Sequence, residues 1–225
     1  MESALRKANQ YPTLESPALD VETFVERHLR IYLDQEADLN SSILGITEFP
    51  PKSKPIIISI SAELTKAAID HDGQPLQQFG RWRATVAHEA AHAMLHETLF
   101  KQDHDQMSLF EHSPSEQHNG SLFRCLKRDV AFSASRNNVD WREYQASTGM
   151  AALLMPKGVF CECTHRILRD WGVKQSDPVP NSELTMRLTS RLAGLFQVSH
   201  QAAGIRLKNL EFVNPPGKSL ALFPG

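Results

Sequence analysis

One helical run restricts the fold of this chain more than any other feature of its sequence. Residues Arg81–Phe100 contain neither glycine nor proline, and small or apolar side chains recur among them at helical spacing. The run includes His88-Glu89-Ala90-Ala91-His92, which fits the pattern H-E-x-x-H. Because helix positions four apart are offset by only about 40°, both imidazoles project from one face and can share one ion.

The side chains of this motif suit Zn²⁺ and hydrolysis. Neutral imidazole and carboxylate groups are good zinc ligands. A catalytic zinc site takes three protein ligands and leaves one position for water, whose pKa falls to about 7. Glu89 can then accept a proton from that water. The small Ala90 and Ala91 allow close packing behind the helix, which favours this interpretation over a surface helix with a solvated His/Glu face.

Spacing leaves the third ligand open. In the metzincin variant of the motif it would be a histidine at the position occupied here by Thr98. The remaining candidates are imidazoles and carboxylates elsewhere along the chain: His96, Glu97, His104, Glu111, His112, His118 and Glu143. The residue types alone do not choose among them.

Three segments, in the same order, resemble the ImmA/IrrE family of metallopeptidases. The family patterns are R-x-R-x-T-x-A-H-E-x-x-H…L-H, then E-x-Q-A-N-x-F-A-A-x-L-L-M-P, then V-S-x-x-A…R-L near the C-terminus. Here they correspond to Arg81–His92 with Leu95-His96, Glu143–Ala146 leading into Ala151–Pro156, and Val198–Ala203 with Arg206-Leu207. With the apolar segment Ile56–Ile60, the resemblance covers about residues 55–210. The combination is far more specific than H-E-x-x-H alone.

The resemblance implies a zincin-like metallopeptidase with one Zn²⁺ per chain. It implies that His88 and His92 are metal ligands, that Glu143 is the third ligand and that Glu89 is the general base. It further implies an endopeptidase whose protein substrate is a transcriptional repressor with a helix-turn-helix. Such an enzyme would act in a stress-response or mobile-element regulatory circuit.

The chain also departs from the family pattern. Ala91 stands where the family often has glycine, and Gly149 stands where a Phe-like residue is usual. Inside a helix, glycine costs roughly 1 kcal/mol relative to alanine. The separation between His92 and Glu143 is longer than usual, and the His-rich stretch 101–119 accounts for the extra length. These departures bear on substrate selection more than on metal binding.

The predicted fold class is α+β, with a helix-dominated core and one or two strands. Residues 1–171 are expected to form the zincin-like metallopeptidase domain, and residues 182–214 a C-terminal helical segment packed on it or appended to it. The expected strand is Ile56–Ile60, with a further short element at Leu122–Val130 and loops at Lys101–Asn119 and Ser133–Asp140. The expected helices are Asp20–Leu39, Ser61–Asp70, Arg81–Phe100, Trp141–Met155, Val159–Trp171, Ser182–Phe196 and Ser199–Leu210.

The C-terminal segment has the outline of a helix-turn-helix from Leu192 to Leu207. From Ser182 to Asn214 the chain carries four basic and two acidic side chains, which is thin for phosphate binding. We therefore expect packed helices rather than a DNA-binding surface. The alternatives to a peptidase are a DNA- or repressor-binding regulator with a structural metal and one half of a toxin–antitoxin pair.

Composition excludes several other classes of protein. The 24 basic and 26 acidic residues nearly cancel, so no overall charge points to nucleic acid or a membrane surface. No apolar run approaches the roughly 20 residues that a membrane span requires. Three cysteines cannot form a closed disulfide framework, and the N-terminus lacks the apolar core of a signal peptide. We expect a cytoplasmic protein without a membrane partner.

Several other residues near the motif have two interpretations. His96 is either a group that assists the site or a buried histidine with ordinary hydrogen bonds. Tyr144 can donate to an oxyanion, although as the neighbour of Glu143 it is expected to point elsewhere. Cys161 and Cys163 are interpreted as plain helix residues, because two thiols lack the partner pair that a structural zinc site needs.

Overall fold

A four-stranded sheet and a set of helices make up the parts of the chain that the structure describes. This computed structural model describes residues 1–50, 54–70, 75–107, 121–126, 141–173 and 183–213, with side chains except at 75–76, 101–107 and 121–126. The helices are α1 (Glu2–Lys7), α2 (Val21–Thr23), α3 (Ala62–Ile69), α4 (Pro75–Met107), α5 (Trp141–Leu154), α6 (Lys157–Asp170), α7 (Glu183–Phe196) and α8 (His200–Asn209). The strands are β1 (Tyr32–Ala37), β2 (Ile43–Phe49), β3 (Ile57–Ser61) and β4 (Ser121–Leu126).

The sheet is mixed, with strand order β1-β3-β2-β4. β1 pairs with β3 in parallel, and β2 is antiparallel to both β3 and β4. Ile58 and Ile60 on β3 are fully buried, as expected for a short β-branched strand at the centre of a sheet. The α+β class is therefore correct, but the expectation of one or two strands was too low.

Helix α4 is the element around which the others pack. It contacts α5, α3, β2 and β3. Three alanines, Ala87, Ala90 and Ala91, lie on its buried face and are wholly inaccessible to solvent. Small side chains let neighbouring elements approach the helix backbone closely. The motif His88–His92 consequently lies in the interior of the fold.

The predicted helix over Asp20–Leu39 is wrong in its second half. The Asp20 carboxylate caps α2 by accepting from the Thr23 backbone N–H, and the helix continues as a π-helical segment, Phe24–Leu29. Arg30 then adopts a left-handed conformation with φ of 57°, which ends the helix. Ile31 and Leu33 are buried on either side of exposed Tyr32, and this alternation is that of a strand.

Most other predicted elements are confirmed within a few residues. The segment Ile56–Ile60 forms β3, and the predicted helices after it correspond to α3, α4, α5, α6, α7 and α8. Ser199 caps α8, with its hydroxyl accepting from the Ala202 backbone N–H. Helix α4 runs on to Met107, so the predicted loop Lys101–Asn119 is helical at its start; its later part and the predicted loop Ser133–Asp140 lie outside the described residues. Leu122–Val130 contributes to β4 as far as Leu126.

The C-terminal helices share a buried cluster with the rest of the described fold. Leu192 and Phe196 of α7 are fully buried. The ring centroids of Phe196 and of Phe160 on α6 are 5.1 Å apart. Arg83 of α4 is 4% exposed, and its Nε donates to the Gln197 carbonyl between α7 and α8 at 3.1 Å. The division into residues 1–171 and 182–214 stays a prediction.

A close crossing of α4 and α5 explains the glycine at position 149. A Cβ at Gly149 would lie 2.8 Å from the Ala91 Cβ and 2.8 Å from the Met1 Cε. Real Cβ atoms do not approach that closely, so no larger side chain fits between the two helices without moving them. The Phe-like residue of the family pattern is therefore incompatible with this crossing.

We predict that Gly149→Ala destabilises the protein by about 1–3 kcal/mol through overpacking, although alanine is the better helix former. Gly194→Ala is the matched control, because Gly194 is also helical and a Cβ there meets no atom within 4 Å in the described structure. That variant should be stabilised by about 0.5–1 kcal/mol. Urea unfolding of both variants measures the difference, and stabilisation of both would show that the two helices are not in close contact.

Candidate metal centre

Two helices bring His88, His92 and Glu143 together. The two histidines lie on consecutive turns of α4, and Glu143 lies in the first turn of α5. The His88 Nε2 is 3.1 Å from the Glu143 Oε2 and 3.1 Å from the His92 Nε2. The His92 Nε2 is 3.4 Å from the Glu143 Oε1. Among the described residues these three form a group in which one ligand atom from each lies within 4.8 Å of the others.

The spacing of these atoms fits a tetrahedral metal ion. Ligands about 2.0–2.1 Å from a central zinc lie about 3.3–3.4 Å from one another in tetrahedral geometry. The three separations of 3.1, 3.1 and 3.4 Å are close to that value. The donor set of two imidazoles and a carboxylate is also one that zinc accepts. The residues present therefore fit a divalent ion of this kind.

The electrostatics of the group favour the protonation states that bind metal. Burial lowers the pKa of His92, which keeps its imidazole neutral, while the neighbouring Glu143 opposes this effect. Burial on its own raises the pKa of Glu143, but hydrogen bonds to His88 and His92 outweigh burial and lower that pKa to about 2. The carboxylate is 24% exposed, so the group opens to solvent on the Glu143 side.

A second layer of side chains lies behind His92. His96 is fully buried, and its Nδ1 is 3.1 Å from the His92 Nδ1. The His96 Nε2 is 3.2 Å from the Gln145 Oε1 on α5. Sequence analysis left the role of His96 open and did not predict a contact between His96 and Gln145. Its position two residues after Glu143, within the segment that carries the resemblance, was the available signal.

Glu89 lies beneath the sheet, outside the three-residue group. Its side chain is fully buried, and a Cβ at Gly45 on β2 would be 3.0 Å from the Glu89 Cγ. The Thr47 Oγ1 donates to the Glu89 Oε2 and lies 3.1 Å from the Glu89 carbonyl oxygen. Gly45 and Thr47 are two apart on β2 and face α4 together. Sequence analysis missed both because it did not predict β2.

The remaining candidate ligands fall into two sets. Glu97 is described and does not belong to the metal-binding group. The side chains of His104, Glu111, His112 and His118 lie outside those that the structure describes.

Tyr144 and the two cysteines considered in the sequence analysis lie on α5 and α6. Tyr144 is 49% exposed and stacks on Trp141, with ring centroids 5.2 Å apart. Cys161 and Cys163 are free thiols within α6, as the interpretation of plain helix residues requires.

A scan against protein-family models and a search of curated proteins both return no match. In the described part of the chain, no helix has the length and apolar character needed to cross a membrane. The resemblance to the ImmA/IrrE family therefore rests on the three sequence segments alone.

Acidification should destabilise the metal-free protein in two stages. The folded pKa of His92 is below 6.5, so the unfolded state binds more protons and stability falls as the pH drops below 6.5. The pKa of Glu143 is lowered from 4.5 to about 2, so its contribution is lost as the pH falls from 4.5 towards 2. Urea unfolding as a function of pH measures both stages. Glu143→Gln should abolish the second, and an unchanged profile would contradict the assignment.

Replacing Thr47 should release Glu89 from its fixed orientation. Thr47→Val keeps the shape of the side chain but removes the hydroxyl, which should cost about 1–3 kcal/mol because a buried carboxylate loses a donor. Thr47→Ser retains the donor and is the matched control. Urea unfolding compares the two variants. Equal losses in both would assign the effect to packing rather than to the hydrogen bond.

Proposed function

We propose that this protein is a zinc-dependent endopeptidase of the ImmA/IrrE type. One observation carries the proposal: the two H-E-x-x-H imidazoles and a carboxylate distant in sequence converge at metal-ligand separations. Three protein ligands are the number used in catalytic zinc sites, whereas structural sites use four. The described residues supply three. This count favours a catalytic ion over a purely structural one.

His88, His92 and Glu143 would hold the ion. Bound there, Zn²⁺ would supply Lewis acidity, which polarises a peptide carbonyl and lowers the pKa of water. The imidazoles keep two sides of the site buried, and Glu143 lies where the site opens to solvent. A peptide bond and the attacking water would therefore approach from the Glu143 side.

Glu89 is the residue to which we assign proton transfer. It directly follows His88 on α4, and its carboxylate is kept from bulk water by β2. Thr47 holds one carboxylate oxygen, which restricts the rotation of the side chain. In this role Glu89 accepts a proton from the attacking water and delivers it to the leaving amine.

Exposed apolar side chains beside the site support a polypeptide substrate. Leu95 and Leu99 on α4 and Trp141 and Tyr144 on α5 are between 41% and 65% exposed. These two helices also carry His88, His92 and Glu143, and the stacked rings of Trp141 and Tyr144 flank Glu143 in the first turn of α5. Large exposed apolar side chains beside a site favour a binding surface there. A transcriptional repressor is the substrate that the family resemblance implies.

Glu89→Gln should separate metal binding from catalysis. The variant keeps its ligands and should bind one zinc per chain, while cleavage falls about 10²–10⁴-fold because the general base is lost. The assay is co-expression with a helix-turn-helix repressor, the substrate class that the resemblance implies, followed by mass spectrometry for a metal-dependent cut. Glu63→Gln, an exposed carboxylate on α3, is the matched control and should retain full activity.

Three results would redirect the proposal. Full cleavage by Glu89→Gln would remove Glu89 from the chemistry. Stoichiometric zinc retained by His88→Ala would remove α4 from the metal site. Zinc binding without any cleavage, combined with salt-sensitive binding to duplex DNA, would favour a regulator with a structural metal.

A further inference from the structure

The hydrogen bonds behind His92 form a chain with a direction. The His92 Nδ1 meets the His96 Nδ1 at 3.1 Å, and the His96 Nε2 meets the Gln145 Oε1 at 3.2 Å. Both rings are wholly buried. Two ring nitrogens at hydrogen-bonding distance require one donor and one acceptor, and a neutral imidazole has one of each. Fixing the proton at one end of the chain therefore fixes it along the whole chain.

Only one direction of this chain is compatible with a metal on the His92 Nε2. A ligating Nε2 carries no proton, so the proton of neutral His92 lies on Nδ1 and is donated to the His96 Nδ1. His96 then carries its proton on Nε2, and a carbonyl oxygen must accept it. The Gln145 Oε1 is the atom in that position.

The opposite direction blocks the site. If the Gln145 amide turned over, its NH₂ group would donate to the His96 Nε2, and His96 would carry its proton on Nδ1. The His92 Nδ1 would then accept, and the His92 proton would lie on Nε2. That proton would occupy the nitrogen that lies 3.1 Å from the His88 Nε2 and 3.4 Å from the Glu143 Oε1.

We propose that Gln145 is a positioning residue which, acting through His96, selects the His92 tautomer that binds the metal. Helix α5 then contributes twice to the centre, since Glu143 supplies a ligand and Gln145 orients another. The two ligating histidines differ in this respect. The His88 Nδ1 is buried without a hydrogen-bond partner among the described residues. The inference rests on the metal site of the proposed function but not on its peptidase chemistry.

Three substitutions at position 145 test the proposal by zinc affinity, measured in competition with a chelating dye. Gln145→Leu removes the acceptor and should weaken zinc binding about 10–100-fold, the usual cost of losing a partner behind a metal-ligating histidine. Gln145→Glu can only accept, so it should bind zinc at least as tightly as the native chain. Gln145→Lys can only donate and should weaken binding most. Thr148→Ala, on the exposed side of α5, is the control and should have native affinity.

The tautomers themselves provide a readout that a purely structural role would not change. Long-range ¹H–¹⁵N NMR of the zinc-loaded native protein should show His96 protonated on Nε2 and bare on Nδ1. Protonation of the His96 Nδ1, or equal zinc affinities for the Gln145→Leu and Gln145→Glu variants, would overturn the proposal. Circular dichroism of each variant identifies any that fails to fold. If the Gln145→Leu variant does not fold, the zinc affinity of the Gln145→Glu variant still tests the proposal.

The outcome also separates this inference from the proposed function. A native chain that binds no zinc would remove both. A native chain with the stated tautomer and affinity order but without peptide cleavage would remove only the peptidase. Cleavage activity with equal zinc affinities across the position-145 series would remove only the role of Gln145.

Discussion

The contact between α4 and α5 is the constraint on which the centre depends. Its imidazoles and its carboxylate come from helices separated by a long stretch of chain, and a short separation between the two helix axes is needed to bring Glu143 within 3.4 Å of both histidines. Gly149 and Ala91 provide that separation because neither has a side chain large enough to keep the helices apart. The fold therefore gives up helix propensity at position 149 for a close approach. The same contact brings Gln145 to His96.

Much of this arrangement could be predicted from the sequence, because its strongest signals are local. Helical periodicity located α4, α5 and the C-terminal helices, and the spacing of His88 and His92 placed both rings on one face. The assignment of Glu143 needed the family resemblance, because several other residues could have supplied a third ligand. Local spacing contains no information on which distant carboxylate folds back onto a helix.

The parts that were missed depend on contacts between distant segments. The strands β1 and β2 are short and have mixed patterns. Before β1, the apolar residues Val21, Phe24 and Val25 follow a helical period that Ile31 and Leu33 continue. The left-handed conformation of Arg30 interrupts this helix, and the sequence pattern does not show it. Without β2, neither Gly45 nor Thr47 could be connected to Glu89. Gln145 is visible as part of a motif, but its contact with His96 depends on how α5 crosses α4.

The buried Arg83 side chain joins the C-terminal helices to α4, the helix that carries His88 and His92. Burial lowers its pKa to about 10, and its Nε donates to a backbone carbonyl at the turn between α7 and α8, where Gln197 adopts a left-handed conformation with φ of 52°. Arg83 precedes His88 by little more than one helical turn. A chain shortened before α7 would remove that acceptor and uncover the Arg83 Nε, in the helix that carries both imidazoles. We expect α7 and α8 to contribute to the folding of α4, so a shortened chain made to study the candidate metal centre should keep both helices.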